Sequence, residues 1–183
     1  MLYVFVEGQD DERFFRHYYH YSDKLRIIEY SHTKKEKVQK FIRSINLLPS
    51  ADYIFITDAD YCQVMEKLDT IYERYGIPNK KKIVVCQMEI ESWYLAGLTE
   101  QSKQELGIKE TYNRTDYLVK EDFNAMIPYG FRRYQFMLEI LKHYDKIEGT
   151  KKNDTFNYFY MHFNNLLEDR KKDLTLPLQE TVD

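Results

Sequence analysis

The sequence predicts an α/β fold in which a mainly parallel sheet is flanked by helices and followed by a helical extension. Short apolar runs rich in β-branched and aromatic residues alternate with amphipathic segments over residues 1–97. These runs are apolar throughout, as strands buried on both faces require. From residue 98 onward the pattern is helical, without a convincing strand. We therefore expect an α/β core at 1–97 and a helical extension at 98–183 that packs on it.

Strands and helices are predicted to alternate through the first half of the chain. The predicted strands are residues 2–6, 25–30, 53–57 and 82–86, and the helices that follow them are 10–21, 33–45, 64–75 and 90–96. The second helix repeats Val38, Ile42 and Ile45 at helical spacing. Gly76 and Pro78 end the third helix.

The second half is predicted to contain helices alone. They cover residues 99–107, 117–126, 134–143 and 154–169, with a loop at 144–152 and a frayed tail beyond residue 171. We find no internal repeat and no low-complexity stretch that would divide the extension further.

Composition excludes several classes of protein. The 27 basic and 30 acidic residues give a net charge of -3, which argues against coating of nucleic acid by bulk charge. An enzyme with its basic residues concentrated at one site remains compatible with that charge. The opening apolar run is too short for a signal peptide, and no later run reaches membrane-spanning length. Cys62 and Cys86 form neither a CxxC pair nor a disulfide framework, so we expect a reduced cytoplasmic protein.

Acidic residues follow three of the four predicted strands. Glu7 follows the first strand, Asp58 and Asp60 the third, and Glu89 and Glu91 the fourth. Ligands of parallel α/β sheets bind at this carboxyl edge, and acids gathered there repel one another unless a cation lies between them. Each acid alone is also explained as a helix cap or as a partner of the helix dipole. Three acidic strand ends together favour a site for a hard divalent cation such as Mg²⁺.

Three segments resemble motifs of a known family. Residues 4–11, Val-Phe-Val-Glu-Gly-Gln-Asp-Asp, and residues 55–60, Phe-Ile-Thr-Asp-Ala-Asp, resemble the first and second motifs of the Toprim domain of topoisomerases, primases and related nucleases. Residues 89–95, Glu-Ile-Glu-Ser-Trp-Tyr-Leu, are similar to an acid-Trp motif of small stand-alone Toprim-like proteins and to the third acidic position of the overcoming-lysogenization-defect nucleases. The resemblance covers residues 1–97 and implies a Toprim-like, Rossmann-like sheet.

The resemblance implies Mg²⁺- or Mn²⁺-dependent phosphodiester chemistry on DNA or RNA. The positions that match the family's metal-binding and catalytic residues are Glu7, Asp11, Asp58 and Asp60, with Glu91, or Glu89 as second choice, completing a second site. Similarity to a Tyr-x-Lys segment of Toprim-like proteins adds Lys146 as a catalytic lysine, ahead of Lys151 and Lys152. The other explanation of these lysines is a solvated loop between helices.

Departures from the family restrict what the resemblance implies. No topoisomerase module, primase zinc domain or GxxxxGK[ST] segment is present, so an ATPase, if one is needed, would have to come from a separate partner subunit. The basic segments 34–37, 80–82 and 132–133 either follow a phosphate backbone or make the surface soluble.

Three other functions stay open at the sequence level. A Toprim-like domain can serve as a non-catalytic nucleic-acid-binding or regulatory module. Asp-x-Asp after an apolar strand also occurs in nucleotide-sugar transferases and in haloacid-dehalogenase-like phosphatases. The phosphatase motif normally lies on the first strand, and the chain is short for a transferase. We therefore expect a metal-dependent nuclease or a related phosphotransfer enzyme.

Overall fold

A four-stranded parallel sheet forms the centre of the protein, in a computed structural model that describes residues 1–110 and 112–167. The strands are β1 (Leu2–Val6), β2 (Leu25–Glu29), β3 (Asp52–Asp58) and β4 (Ile83–Cys86), in the spatial order β2-β1-β3-β4. In register, Leu2 of β1 pairs with Leu25 of β2 on one side and with Asp52 of β3 on the other. The predicted parallel α/β fold is confirmed.

Nine helices surround or extend this sheet in the described part of the chain. They are α1 (Gln9–Tyr18), α2 (Lys35–Asn46), α3 (Val64–Tyr75), α4 (Glu91–Ala96), α5 (Glu100–Leu106), α6 (Lys120–Ala125), α7 (Arg133–Lys142), α8 (Lys146–Lys152) and α9 (Asp154–Phe163). None of the helices in residues 1–110 and 112–167 is long and apolar enough to cross a membrane.

The two faces of the sheet have different coverings because successive side chains of a strand point to opposite faces. On one face, Phe5 and Phe55 stack at 5.5 Å and pack with Val38 of α2 and Ile71 of α3. On the other face, β-strand residues such as Val4 pack in one core with residues of α1, α4, α6, α7 and α9. The helical extension therefore shares its core with the first helix of the α/β unit.

Aromatic rings fill much of the second core. Trp93 is fully buried and contacts Phe14 of α1 and both Phe156 and Phe159 of α9, with ring centroids 5.3–5.8 Å apart. Such pairs stabilise a core beyond the area that they bury. Aromatic residues make up 16% of the chain, and this packing shows that part of them form the core.

One predicted loop is wrong. Residues 144–152 contain helix α8, because the Asp145 side chain caps its start by accepting hydrogen bonds from the backbone N–H groups of Ile147 and Glu148. Glu148 then forms ion pairs with Lys151 and Lys152 one turn later. The predicted helix 154–169 ends at Phe163 as α9. Residues 168–183, including the predicted frayed tail, lie outside the described residues.

Candidate metal and phosphate site

The carboxyl edge of the sheet contains the point where the strand order reverses. The chain runs from β1 to β2 on one side and later enters β3 on the other side of β1. Ligands of open α/β sheets bind in the crevice at this switch point. Glu7 directly follows β1 and Asp58 ends β3, so these two acids flank that crevice.

Glu7 is held by three hydrogen bonds to a single oxygen. Its Oε1 accepts from the Tyr30 hydroxyl at 2.8 Å, from the Thr57 hydroxyl at 2.8 Å and from the Asp58 backbone N–H at 3.1 Å. Tyr30 and Thr57 are both buried. Burial and the nearby Glu7 charge raise the pKa of the Tyr30 hydroxyl, so this donor keeps its proton. The sheet therefore fixes the orientation of the Glu7 carboxylate.

Asp11 is buried beside Glu7 in the first turn of α1. Its Oδ2 accepts a hydrogen bond from the Gly8 backbone N–H at 3.1 Å, whereas its Oδ1 is buried without a partner among the described residues. Burial, followed by the charge of Glu7, raises the pKa of Asp11 to about 8, and Glu91 adds to the shift.

Asp58 shares this environment. Its Oδ1 is also buried and has no hydrogen-bond partner within residues 1–110 and 112–167. Burial raises the pKa of Asp58 well above its usual range, and the charges of Asp11, Glu7, Glu91 and Asp60 add to that effect in decreasing order. The acids are therefore close enough to repel one another. We call Glu7, Asp11, Asp58, Asp60 and Glu91 together the acid edge.

Asp60 lies at the exposed margin of the acid edge. Its backbone is left-handed (φ 50°), as is that of Tyr61 (φ 68°), and its side chain is 54% exposed. Its carboxylate pairs with the Lys67 amine of α3 at 2.7 Å. Burial lowers the pKa of Lys67, but Asp60 and the charges of Glu7 and Asp58 outweigh that effect and raise it. Lys67 is thus a cation of the acid edge that the sequence did not single out.

Glu91, not Glu89, belongs to the acid edge. Glu89 accepts a hydrogen bond from the Lys120 backbone N–H at 2.6 Å, at the start of α6. Glu91 is buried at the start of α4 and forms an ion pair with Arg133 of α7. Burial raises the pKa of Glu91 although the Arg133 charge opposes the shift.

Asp10 shares the Arg133 guanidinium with Glu91 and also binds Arg13. Asp10 pairs with Arg13 and, at 2.9 Å, with Arg133. Burial acts to raise the pKa of Asp10, but the hydrogen bonds from Arg13 and Arg133 outweigh it and leave the pKa lowered. The only sequence signal for Arg133 was the basic pair at 132–133.

The structure does not bring Lys146 to the acid edge. Its amine lies 4.0 Å from the centre of the Tyr18 ring and 3.3 Å from the Tyr18 carbonyl oxygen. Tyr18 is the last residue of α1, whereas Asp11 is in the first turn of that helix. Lys151 pairs with Glu148, and the buried Lys152 amine donates to the Leu98 carbonyl oxygen. Within residues 1–110 and 112–167, the cations that form ion pairs with the acid edge are Lys67 and Arg133.

The acid edge fits a hard divalent ion in its chemistry. Carboxylate oxygens are the ligands that Mg²⁺ and Mn²⁺ prefer, and Asp11 and Asp58 each have a buried oxygen with no partner in the described part of the chain. No group of three or more His, Cys, Asp or Glu residues in residues 1–110 and 112–167 is already arranged as a set of ligands. Asp60 and Glu91 are held in ion pairs, so Glu7, Asp11 and Asp58 are the candidate ligands of the acid edge.

Comparison of the chain with family models, with curated proteins and with solved structures finds no match.

Proposed function

We propose that this chain is a Toprim-like, divalent-metal-dependent nuclease that cleaves a phosphodiester bond of nucleic acid. The observation that carries the proposal is a pair of buried oxygens, Asp11 Oδ1 and Asp58 Oδ1, that have no hydrogen-bond partner in the described part of the chain and lie next to the fixed carboxylate of Glu7. A buried carboxyl oxygen that lacks a hydrogen-bond partner is costly unless a ligand compensates it. Their position at the switch point of a parallel sheet supports a functional role over a purely structural one.

Mg²⁺ or Mn²⁺ is the ion that this set of oxygens favours. When bound, such an ion supplies positive charge that polarises a phosphoryl oxygen and lowers the pKa of water. Glu7, Asp11 and Asp58 would hold it. Glu91 and Asp60 would add ligands for a second ion once their ion pairs open.

The protein's own contribution is orientation and charge. Tyr30, Thr57 and the Asp58 backbone N–H hold Glu7 in place before any substrate arrives, which lowers the cost of ordering the site. Lys67 and Arg133 place positive charge beside the acid edge through their ion pairs with Asp60 and Glu91, where it favours binding of a negatively charged substrate. Asp11 keeps a proton at neutral pH until positive charge compensates the site.

A cleavage assay tests the proposal. Plasmid DNA, single-stranded DNA and structured RNA are incubated with the protein and either Mg²⁺ or Mn²⁺. We expect cleavage of at least one substrate that depends on the metal and falls by about a hundredfold or more in Glu7→Gln and Asp58→Asn.

Asp52→Asn is the matched control for Asp58→Asn. Asp52 begins the same strand that Asp58 ends, and its carboxylate pairs with Lys82 at the opposite edge of the sheet. This variant should cleave as the wild type does. Cleavage that survives in Asp58→Asn would overturn the site. An absence of cleavage in every preparation would favour the non-catalytic binding module.

A separate ATPase subunit stays a prediction of the resemblance.

A further inference from the structure

Arg133 joins the helical extension to the acid edge. Its guanidinium donates two hydrogen bonds to Asp10 Oδ2, at 2.9 and 3.2 Å, and a third to Glu91. The Asn124 side chain accepts a fourth at 2.5 Å, and the Phe123 ring centre lies 5.0 Å from the guanidinium carbon. The planar guanidinium of Arg133, whose N–H groups form a fork of donors, is thus held by residues of the α/β core on one side and of α6 on the other.

Glu91 depends on this contact. Its side chain is 6% exposed, and its carboxylate shares the Arg133 guanidinium with the carboxylate of Asp10. A buried carboxylate among other carboxylates needs a positive partner. Arg133 supplies that charge in the protein without metal.

A divalent ion and Arg133 compete for the same carboxylate. An ion on Glu91 would place two positive charges close to the guanidinium, and like charges repel strongly at such distances where water is excluded. Arg133 nevertheless has other partners in Asp10, Asn124 and Phe123, so it can leave Glu91 without leaving its neighbourhood.

Building on the proposed function, we propose that Arg133 is a resident counter-ion of Glu91 that a divalent ion must displace before Glu91 becomes a ligand. The extension then controls how many ions the acid edge holds. Ions at Glu7, Asp11 and Asp58 bind without this cost, whereas binding at Glu91 includes the cost of breaking its ion pair. Arg133 is a positioning residue in this scheme, because it acts through Glu91.

Mn²⁺ binding to the full chain, followed by electron paramagnetic resonance and by calorimetry, tests the inference. In Arg133→Gln we expect the weaker Mn²⁺ site to bind about tenfold more tightly than in the wild type. The matched control is Arg13→Gln, which removes a guanidinium from the same Asp10 but leaves the ion pair with Glu91. A general effect of lost positive charge on Mn²⁺ affinity should appear in both variants. An effect that depends on the ion pair with Glu91 should appear in Arg133→Gln and not in Arg13→Gln.

A double-mutant cycle shows whether Arg133 acts through Glu91. In a Glu91→Gln background, Arg133→Gln should no longer change Mn²⁺ affinity. Circular dichroism establishes that each variant is folded. If Arg133→Gln does not fold, Arg133→Lys replaces it, and we expect a smaller gain in affinity because the charge stays while the fork is lost.

Three results would overturn the inference. They are an equal gain in Arg133→Gln and Arg13→Gln, a gain that persists without Glu91, or unchanged or weaker binding in Arg133→Gln. These results leave the nuclease proposal standing as long as the wild type binds Mn²⁺ and cleaves. A wild type that binds no Mn²⁺ would overturn both proposals.

Discussion

Two buried polar regions of this protein have opposite hydrogen-bonding states. The first is the acid edge. The second lies around Asn153, between α8 and α9. Asn153 is fully buried, and its side-chain nitrogen donates to Ser92 at 3.3 Å and to Thr115 at 3.1 Å. Its side-chain oxygen accepts from Thr155 at 2.8 Å and from the Phe156 backbone N–H at 2.9 Å. We call these five residues the Asn153 network.

The difference lies in charge and in partners. Every side-chain donor and acceptor of Asn153 is paired and neutral, so the network stabilises the contact of the extension with α4. The acid edge gathers negative charges and leaves two buried oxygens without partners in the described residues. A fully paired neutral network is typical of a structural role, whereas unpaired oxygens among several buried acids favour a ligand. The following experiments test this comparison.

The largest effect is expected from loss of the Asn153 network. Asn153→Ala removes a cap of α9 and leaves several buried groups unpaired, so it should lower the free energy of unfolding by about 3 kcal/mol. Urea unfolding followed by circular dichroism measures this. Asn79→Ala is the control, since Asn79 caps the exposed turn at Lys80–Lys82 and should cost less than about 1 kcal/mol. Equal losses would break the comparison.

The acid edge should make the metal-free protein less stable at higher pH. The pKa of Asp11 rises from 3.8 in the unfolded chain to about 8 in the folded protein. The folded state therefore binds more protons between these values, and the free energy of unfolding falls as pH rises through that range. Melting temperatures from pH 5 to 9 in EDTA should decrease for this reason. Mn²⁺ should reverse the trend, because it binds deprotonated carboxylates.

Asp11→Asn should remove one negative charge that is repelled by Glu7 and Glu91 at high pH. We expect the metal-free variant to be more stable than the wild type by about 1–2 kcal/mol at pH 5, where the unfolded wild type has already lost the Asp11 proton, and we expect this gain to grow towards pH 9. The same variant should lose Mn²⁺ stabilisation. Asp69→Asn, at an exposed ion pair with Lys80, serves as the control. A destabilised Asp11→Asn at pH 9 would mean that Asp11 has a structural role.

The smallest expected effects compare two lysines. Lys67→Met should reduce cleavage about tenfold, because Lys67 pairs with Asp60 and lies near Glu7 and Asp58. Lys146→Met should change cleavage less than about twofold and stability by about 0.5–1 kcal/mol, through its contact with the Tyr18 ring. The opposite order of effects would restore the sequence-based choice of Lys146.

The parts of the site that the sequence predicted are those that follow a strand directly. The alternation of apolar runs and helices implied a parallel sheet, and this allowed the acids at the strand ends to be predicted at one edge. In the structure, Glu7 and Asp58 do lie at the ends of the neighbouring strands β1 and β3. Asp11 followed from its place in the first turn of the next helix. The choice between Glu89 and Glu91 did not follow, because two neighbouring acids at a helix start differ only in what the rest of the chain places against them.

The sequence by itself determined the strand–helix alternation and the acids at the strand ends, because both depend on residues close together in the chain. Only the tertiary structure decided which cations meet those acids. Arg133 reaches Glu91 across 42 residues and Asp10 across 123 residues, through the packing of α7 on α1 and α4. Lys146, which the resemblance placed in the site, lies at the far end of α1 for the same reason. A contact between distant segments depends on how whole helices pack, and no local pattern records it.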